Sequence, residues 1–153
     1  MKSQMLISKN RNILISKCIL GVNCRYNCGN KENSSLINFL LEDGFNLVPV
    51  CPEELGGLET PRLPSFFLSE GFTLKSEDGK DVTEYFLRGA KLTLMIANEI
   101  KPDLIIFVDK SPSCGVNRIY RNGNLIEGKG ITTHLLIRNG YRVISLEDFL
   151  QIM

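Results

Sequence analysis

Leu104-Ile105-Ile106-Phe107-Val108-Asp109-Lys110-Ser111-Pro112-Ser113-Cys114 passes from five apolar residues, through one carboxylate, into a serine and proline turn that ends on a thiol. Leu104 to Asp109 is apolar up to its last residue, the pattern of a strand covered on both faces, as in a parallel sheet between helices. Two other stretches repeat the arrangement: Ile13-Leu14-Ile15 lies just before Cys18, and Leu47-Val48-Pro49-Val50 runs directly into Cys51. If the three strands are parallel neighbours, their carboxyl ends bring three sulfurs to one sheet edge, where open α/β sheets place their ligands. A metal centre held by Cys18, Cys51 and Cys114 is therefore the first expectation.

The rest of the chain fits that frame. The spacing predicts a first strand over Asn12 to Lys17 and a loop rich in Asn, Gly and Cys from Gly21 to Lys31. A helix follows at about Ser34 to Asp43, with Leu36, Ile37, Leu40 and Leu41 on one face and Gly44 as its stop. Asn46 to Val50 is the second strand, and Cys51 to Pro64, with three prolines and the Gly56-Gly57 pair, is a wall-forming loop without regular structure. Gly71 to Lys80 reads as a short hairpin around Glu77-Asp78-Gly79. Asp81-Val82-Thr83-Glu84 has capping-box spacing and opens a helix to Ile100, with Val82, Tyr85, Phe86, Gly89, Thr93, Ile96 and Ile100 inside. Beyond Cys114 come a hairpin over Ile119 to Ile126 turning at Asn122-Gly123 and a helix over Gly130 to Asn139. A strand over Tyr141 to Ser145 and a helix over Leu146 to Ile152 close the chain. The βαβ alternation predicts an α/β domain whose four-stranded sheet is mostly parallel, flanked by helices on both faces and carrying small accessory hairpins. Residues 1–11 read as an N-terminal extension and 12–153 as one domain.

With 153 residues such a domain buries a sizeable core without a metal for bulk stability, so a metal here is functional. Lys and Arg number 18 against 17 acidic residues, a balance that points away from nucleic acid and anionic membrane and towards a small-molecule partner. Met1 to Arg11 lacks the apolar core of a signal peptide, and no stretch approaches the ~20 apolar residues of a membrane span. A cytoplasmic protein is expected, where an odd set of five cysteines serves metal binding or catalysis more often than disulfides.

Each candidate has a plain alternative. Cys18 and Cys51 can be buried apolar fillers, since free cysteine is among the most buried residue types. Cys24 can complete a four-cysteine site, shield it or form a reversible disulfide; Cys28 is read as a loop residue. Lys17, Arg25, Arg62, Lys110 and Arg118 lie near the cysteine loops, where positive charge lowers thiolate pKa and offsets the negative charge of a cluster. Glu53 and Glu54 compete as the carboxylate of the site, and Ser111 and Ser113 compete with the local turn-forming role of serine. His134, the single histidine, is read as lying on a solvated helix face, which argues against a histidine-rich zinc site or a Ser-His-Asp hydrolase. No glycine pattern matches a dinucleotide or P-loop fingerprint.

Three blocks, Ser16-Lys17-Cys18-Ile19-Leu20-Gly21-Val22-Asn23-Cys24-Arg25-Tyr26, Val50-Cys51-Pro52-Glu53-Glu54-Leu55-Gly56-Gly57-Leu58 with Thr60-Pro61-Arg62, and Lys110-Ser111-Pro112-Ser113-Cys114-Gly115, together resemble the thiouracil desulfidase family. The resemblance covers about Ile13 to Ser145, with the blocks in family order. It implies a Rossmann-like three-layer domain and a 4Fe-4S cluster held by Cys18, Cys51 and Cys114, with one iron left open to a thiolated nucleobase. It implies non-redox replacement of sulfur by water, assisted by Glu53 and Ser111. Three departures stand out: Cys28 where a small or acidic residue is usual, His134 in a helix position usually apolar or small, and a shorter, more aromatic Leu63 to Phe72. The further C-terminal domain of some relatives is not expected here. The alternative is a non-catalytic iron–sulfur or zinc-binding module for redox sensing or sulfur transfer; a thiol enzyme with Cys24 as nucleophile is a third.

Overall fold

The computed structural model describes residues 10–153, so residues 1–9 of the expected extension lie outside the described residues. The first elements are β1 (Asn12–Ser16), a 3-10 turn (Lys17–Leu20), α1 (Ser34–Glu42), β2 (Asn46–Val50), α2 (Pro52–Leu55), β3 (Ser65–Phe67) and β4 (Leu74–Ser76). Then follow α3 (Thr83–Ile100), β5 (Leu104–Phe107), β6 (Arg118–Arg121), β7 (Asn124–Glu127), α4 (Ile131–Arg138), β8 (Val143–Ser145) and α5 (Leu146–Ile152). Asn10 and Arg11, the end of the expected extension, already hold the domain: Asn10 Nδ2 donates to the Lys101 carbonyl at 3.1 Å, and the Arg11 guanidinium lies 3.9 Å from the centre of the Phe45 ring.

β1, β2, β5 and β8 form one wholly parallel sheet in the order β2-β1-β5-β8. Ile13 sits opposite Leu47 on one side and Leu104 on the other, and Ser16 opposite Val50, so the carboxyl ends of all three strands reach the same edge. β2 is the edge strand that can carry Pro49, whose missing N–H would break an inner ladder. On one face Ile13, Ile15 and Ile106 pack with Leu36 and Leu40 of α1 and Phe149 of α5; on the other Leu14, Ile105 and Phe107 pack with Ala97 of α3 and Leu136 of α4. Helices thus cover both faces, as the unbroken apolar strands require.

The accessory hairpins prove to be parts of one second sheet, mixed, in the order β4-β3-β6-β7. The turn at Glu77 to Gly79 is present, with Ser76 N–H donating to the Lys80 carbonyl, but the main antiparallel partner of β4 is β3, which was not expected. β6 and β7 form the expected hairpin at Asn122-Gly123. Phe67, Leu74 and Ile119 of this sheet bury against Phe86 and Ala90 of α3 and Ile131 of α4.

Several local expectations are corrected. The loop Cys51 to Pro64 opens with a helical turn, α2, because Pro52 at its first position needs no N–H partner and Glu53 and Glu54 favour the positive end of the helix. Asp81 does not make a capping box: its carboxylate accepts the Thr83 N–H, and the Thr83 hydroxyl oxygen accepts the Leu74 N–H, tying α3 to β4. Leu41 and Tyr85 are exposed, and Ile37, Ile96 and Ile100 only half-buried, so the buried stripes of α1 and α3 are narrower than their apolar spacing.

Two local constraints set the walls of the open sheet edge. α2 lies on α3 at Gly56 and Gly89: a Cβ on Gly89 would stand 1.9 Å from the Pro52 carbonyl oxygen, and one on Gly56 2.0 Å from that of Tyr85. After β5, Asp109 closes the loop to β6, its Oδ1 accepting the backbone N–H groups of Lys110, Val116, Asn117 and Arg118 at 2.9–3.2 Å. Burial works to raise the Asp109 pKa, and the four N–H donors together bring it below the ordinary carboxylate value.

Gly89→Ala should therefore destabilise the protein by about 2–3 kcal/mol in urea denaturation, despite the better helix propensity of alanine. A gain in stability would mean that α2 is not seated there. Asp109→Asn should cost about 1–3 kcal/mol at neutral pH through weakened N–H bonds. Because the folded pKa is depressed, that stabilisation is full above the unfolded value of 3.8 and is lost as pH falls through the folded value. Unfolding curves of wild type and variant should converge on acidification below about pH 4; a difference that persists there would refute the assignment.

Candidate active site

Three loops leave the shared sheet edge, and each carries a thiol. Cys18 lies in the 3-10 turn directly after β1, Cys51 caps α2 after β2, and Cys114 lies in the loop between β5 and β6. The loop that follows the 3-10 turn folds back through Lys31 N–H to the Cys18 carbonyl and Asn33 N–H to that of Ile19, which brings in a fourth thiol, Cys24. Cys18, Cys24 and Cys114 are buried and Cys51 half-buried; Cys28, in a left-handed turn conformation, is exposed, and all five are free thiols. Together they place Cys24, which the strand pattern alone did not, inside the sulfur cluster, and leave Cys28 in the loop as expected.

The thiols contact one another. Cys51 Sγ donates to the Cys24 backbone carbonyl at 3.7 Å, and the Cys24 side chain interacts with those of Cys18 and Cys51. Interaction with Cys18, with burial and the nearby Glu54 charge, pushes the Cys24 pKa up to about 11. Interaction with Cys24 and burial raise that of Cys51, and burial, with Cys51 nearby, raises that of Cys114. Without metal these three side chains are neutral thiols, so metal binding must expel protons. Among the described residues no three His, Cys, Asp or Glu side chains gather closely enough for one metal ion. A polynuclear iron–sulfur group takes its thiolates at separate irons, and the donor set, soft sulfur from separate loops around a cavity, fits such a group.

Beside the thiols stands a carboxylate with divided duties. Glu53 Oε1 accepts Arg62 Nε at 2.9 Å, while Oε2 accepts Ser113 Oγ at 2.9 Å and lies 3.2 Å from Ser111 Oγ. Ser111 Oγ also accepts the N–H groups of Ser113 and Cys114, both at 3.1 Å. With both lone pairs occupied, the Ser111 hydroxyl is left as a proton donor. Ser113 Oγ lies 3.0 Å from Ser111 Oγ and 3.7 Å from the Cys114 sulfur. Glu54, the competing carboxylate, is engaged elsewhere: Oε1 lies 3.4 Å from Lys17 Nζ and Oε2 accepts Thr60 Oγ1 at 2.6 Å. The structure thus brings Glu53, Ser111 and Ser113 together and turns Glu54 away.

The loop bearing Cys114 is fixed from behind by α4, whose Ile131 and Thr132 N–H groups donate to the Pro112 and Ser113 carbonyls; Thr133 Oγ1 donates to that of Cys114 at 3.0 Å. Gly130 admits this approach, since a Cβ there would stand 2.4 Å from the Ser113 carbonyl oxygen. In front of the thiols opens a cavity of about 710 Å³, large enough for a cluster and a small ring together. Lys17, Arg25, Arg62 and Lys110 line it, whereas Arg118 lies outside its wall. Pro64, Ser65 and Phe66 from the aromatic stretch Leu63 to Phe72 form part of the wall, with Tyr26 and Tyr120. His134 is not at the cavity; it is half-buried with its ring 5.1 Å from that of Phe72, rather than on a solvated face.

Sequence reasoning missed the roles of Asp109 and Arg62 and left Ser113 as an alternative to Ser111. A carboxylate ending an apolar strand before a serine–proline turn was the available signal for Asp109; nothing local marks which charge Arg62 meets. No helix among the described residues is long and apolar enough to cross a membrane.

The family model of 2-thiouracil desulfurase matches residues 13–148. The chain is 39% identical over 152 residues to the uncharacterized protein YbbK of Bacillus subtilis (strain 168), covering 92% of this chain and 99% of that one. It also superposes on the structure of a [4Fe-4S]-dependent thiouracil desulfidase, TudS, with a TM-score of 0.83 and 36% identity over 92% of this chain and 93% of the other. The residues gathered at the sheet edge all lie within the matched span, and the chain belongs to the 2-thiouracil desulfurase family.

Proposed function

We propose that this protein is an iron–sulfur-dependent desulfidase that replaces the sulfur of a thiouracil-like pyrimidine by oxygen from water. Cys18, Cys51 and Cys114 hold a 4Fe-4S cluster in this reading, and the parallel layer with its order β2-β1-β5-β8 is read as Rossmann-like. The observation that carries the reading is the Glu53 carboxylate, set on Ser111 and Ser113 beside Cys114 in the cavity that all four thiols line. A passive cluster carrier has no use for such a carboxylate. The family match and the likeness to a [4Fe-4S]-dependent thiouracil desulfidase support the substrate class and the cofactor.

When bound, a cubane with one iron free of protein thiolate supplies Lewis acidity towards a thiocarbonyl sulfur. The protein's residues supply the rest. Glu53 takes the proton of the attacking water at Oε2, the oxygen not committed to Arg62. The Ser111 hydroxyl, restricted to donating, offers its proton to Glu53, to Ser113 or to a substrate acceptor. Exchanging C=S for C=O with release of sulfide leaves the carbon at the same oxidation level, so no electron donor is needed. Lys17, Arg25 and Lys110 offset the negative charge of cluster and carboxylate.

One observation favours a second reading: Cys24 contacts both Cys18 and Cys51, as a fourth ligand of a closed, non-catalytic cluster would.

Protein prepared without oxygen should bind about four irons and four acid-labile sulfides per chain. Cys18→Ser, Cys51→Ser and Cys114→Ser should each lose the cluster, because a hydroxyl is a poor substitute for a soft thiolate, whereas Cys28→Ser should retain it. Iron loss in Cys24→Ser as complete as in Cys18→Ser, with wild type inert towards thiopyrimidines, would establish the closed-cluster reading instead. At matched iron content Glu53→Gln should slow loss of thiocarbonyl absorbance from 2- or 4-thiouracil by ~10²–10⁴-fold, the usual contribution of a general base. Wild-type rates in that variant would remove Glu53 from the mechanism, and turnover that requires an added reductant would remove the non-redox step.

A further inference from the structure

Arg62 holds more of this site than any nearby charge. Its side chain is 9% exposed, and its guanidinium makes four hydrogen bonds: Nε to Glu53 Oε1 at 2.9 Å, Nη1 to the Glu59 carbonyl at 3.1 Å and to Thr60 Oγ1 at 2.8 Å, and Nη2 to the Cys24 carbonyl at 3.0 Å. Its backbone N–H donates to the Tyr26 carbonyl at 2.8 Å. Three of the four side-chain bonds, to Glu59, Thr60 and Cys24, fix the guanidinium plane without any help from Glu53. The Glu53 carboxylate is then the fourth partner, fitted to a fork whose direction is already set.

The fork also separates the two adjacent glutamates. Thr60 Oγ1 gives its proton to Glu54 Oε2 and a lone pair to Arg62, so Glu54 is drawn towards Thr60 and Lys17 while Glu53 is drawn towards Arg62 and the serines. Glu53 Oε1 is bound to a permanent charge; Oε2 is left to the serine hydroxyls and the cavity.

We propose that Arg62 is a positioning residue for the reaction inferred above, on which this inference rests: it orients the Glu53 carboxylate so that Oε2 alone is presented to Ser111, Ser113 and the attacking water. Arg62 touches no reacting atom and acts through Glu53. A lysine keeps the charge but has no planar fork, and it cannot serve Glu53, Thr60 and the Cys24 carbonyl at once. A displaced general base costs rate rather than binding, because a misplacement of about 1 Å at a reacting group slows turnover by up to ~10²-fold.

The test combines structure and kinetics. In a crystal structure of Arg62→Lys without substrate, the Glu53 carboxylate should leave Ser111 and Ser113; a carboxylate still seated on both serines overturns the proposal whatever the activity. In turnover of thiouracil at matched iron content, Arg62→Lys should lower kcat by roughly 10- to 100-fold with KM within about twofold. The double variant Glu53→Gln/Arg62→Lys should be no slower than Glu53→Gln alone, since an orienting residue has nothing to orient once the carboxylate is gone. Losses that multiply in the double variant would assign Arg62 a separate, purely structural role. Loss of iron from both Arg62→Lys and Arg62→Gln in proportion to lost rate would do the same, placing its work on the Cys24 segment. Wild-type protein inert towards every thiopyrimidine would defeat the proposed function, and the crystal comparison would still decide whether Arg62 orients Glu53.

Discussion

Parallel pairing of β1 with β2 on one side and β5 on the other obliges three loops to begin at the same sheet edge. The chain leaves β1 for β2 in one direction and crosses back to β5 in the other, so a crevice opens between loops that diverge. Backbone groups in that crevice need partners, and the loops largely supply their own: Lys31 N–H to Cys18, Leu55 N–H to Cys51 and Gly115 N–H to Ser111. What remains turned inward is sulfur. A thiol is a weak donor and packs as a small apolar group, so four of them can converge at modest cost without metal. Interaction with a neighbouring thiol, and then burial, raises the pKa values of Cys24 and Cys51, while burial, which makes thiolates expensive, is the main cause of the raised value of Cys114.

Positioning of the polar groups relies on contacts that only glycine allows. Glu53 stands where it does because α2 rests on α3 at Gly56 and Gly89, and Ser113 stands opposite because α4 approaches it at Gly130. Both sides of the Glu53–Ser113 hydrogen bond are therefore set by backbone-to-backbone contact, which tolerates far less displacement than a contact between flexible side chains. Functional groups held in this way keep their geometry without depending on the substrate to organise them.

The main sheet was legible in the sequence because its strands are unbroken apolar runs, and three of the site's cysteines follow from where those runs end. β3 was not legible: Ser65-Phe66-Phe67 is too short to show alternation, and its pairing with β4 and β6 is decided by the bed that α3 and α4 provide. α2 was hidden by the prolines and glycines around it, although Pro52 followed by two acidic residues is a helix start. Burial of Cys24 depends on hydrogen bonds from Lys31, Asn33 and Arg62, each far from it in pattern terms. The choice between Glu53 and Glu54 was beyond composition altogether. Adjacent residues on one helical turn point in different directions, and only the positions of Lys17, Thr60 and Arg62 decide which carboxylate meets the serines.

The cavity is assembled from two layers with separable tasks. Its thiol end, with Glu53 and the serines, belongs to the edge of the parallel sheet; the facing wall, with Phe66 of β3 and Tyr120 of β6, belongs to the second sheet. β3 joins β6 by a single parallel pair, Phe67 opposite Arg121, while the Arg121 guanidinium donates to the Leu68 and Gly71 carbonyls, both at 2.9 Å. The aromatic segment Leu63 to Phe72 is thus held by the second sheet and contributes none of the cysteines. Changes in that segment can reshape that wall without moving a cysteine of the site. Under the proposed function, the fold fixes the sulfur chemistry at one end of the cavity and leaves recognition of the ring to a wall that is free to vary.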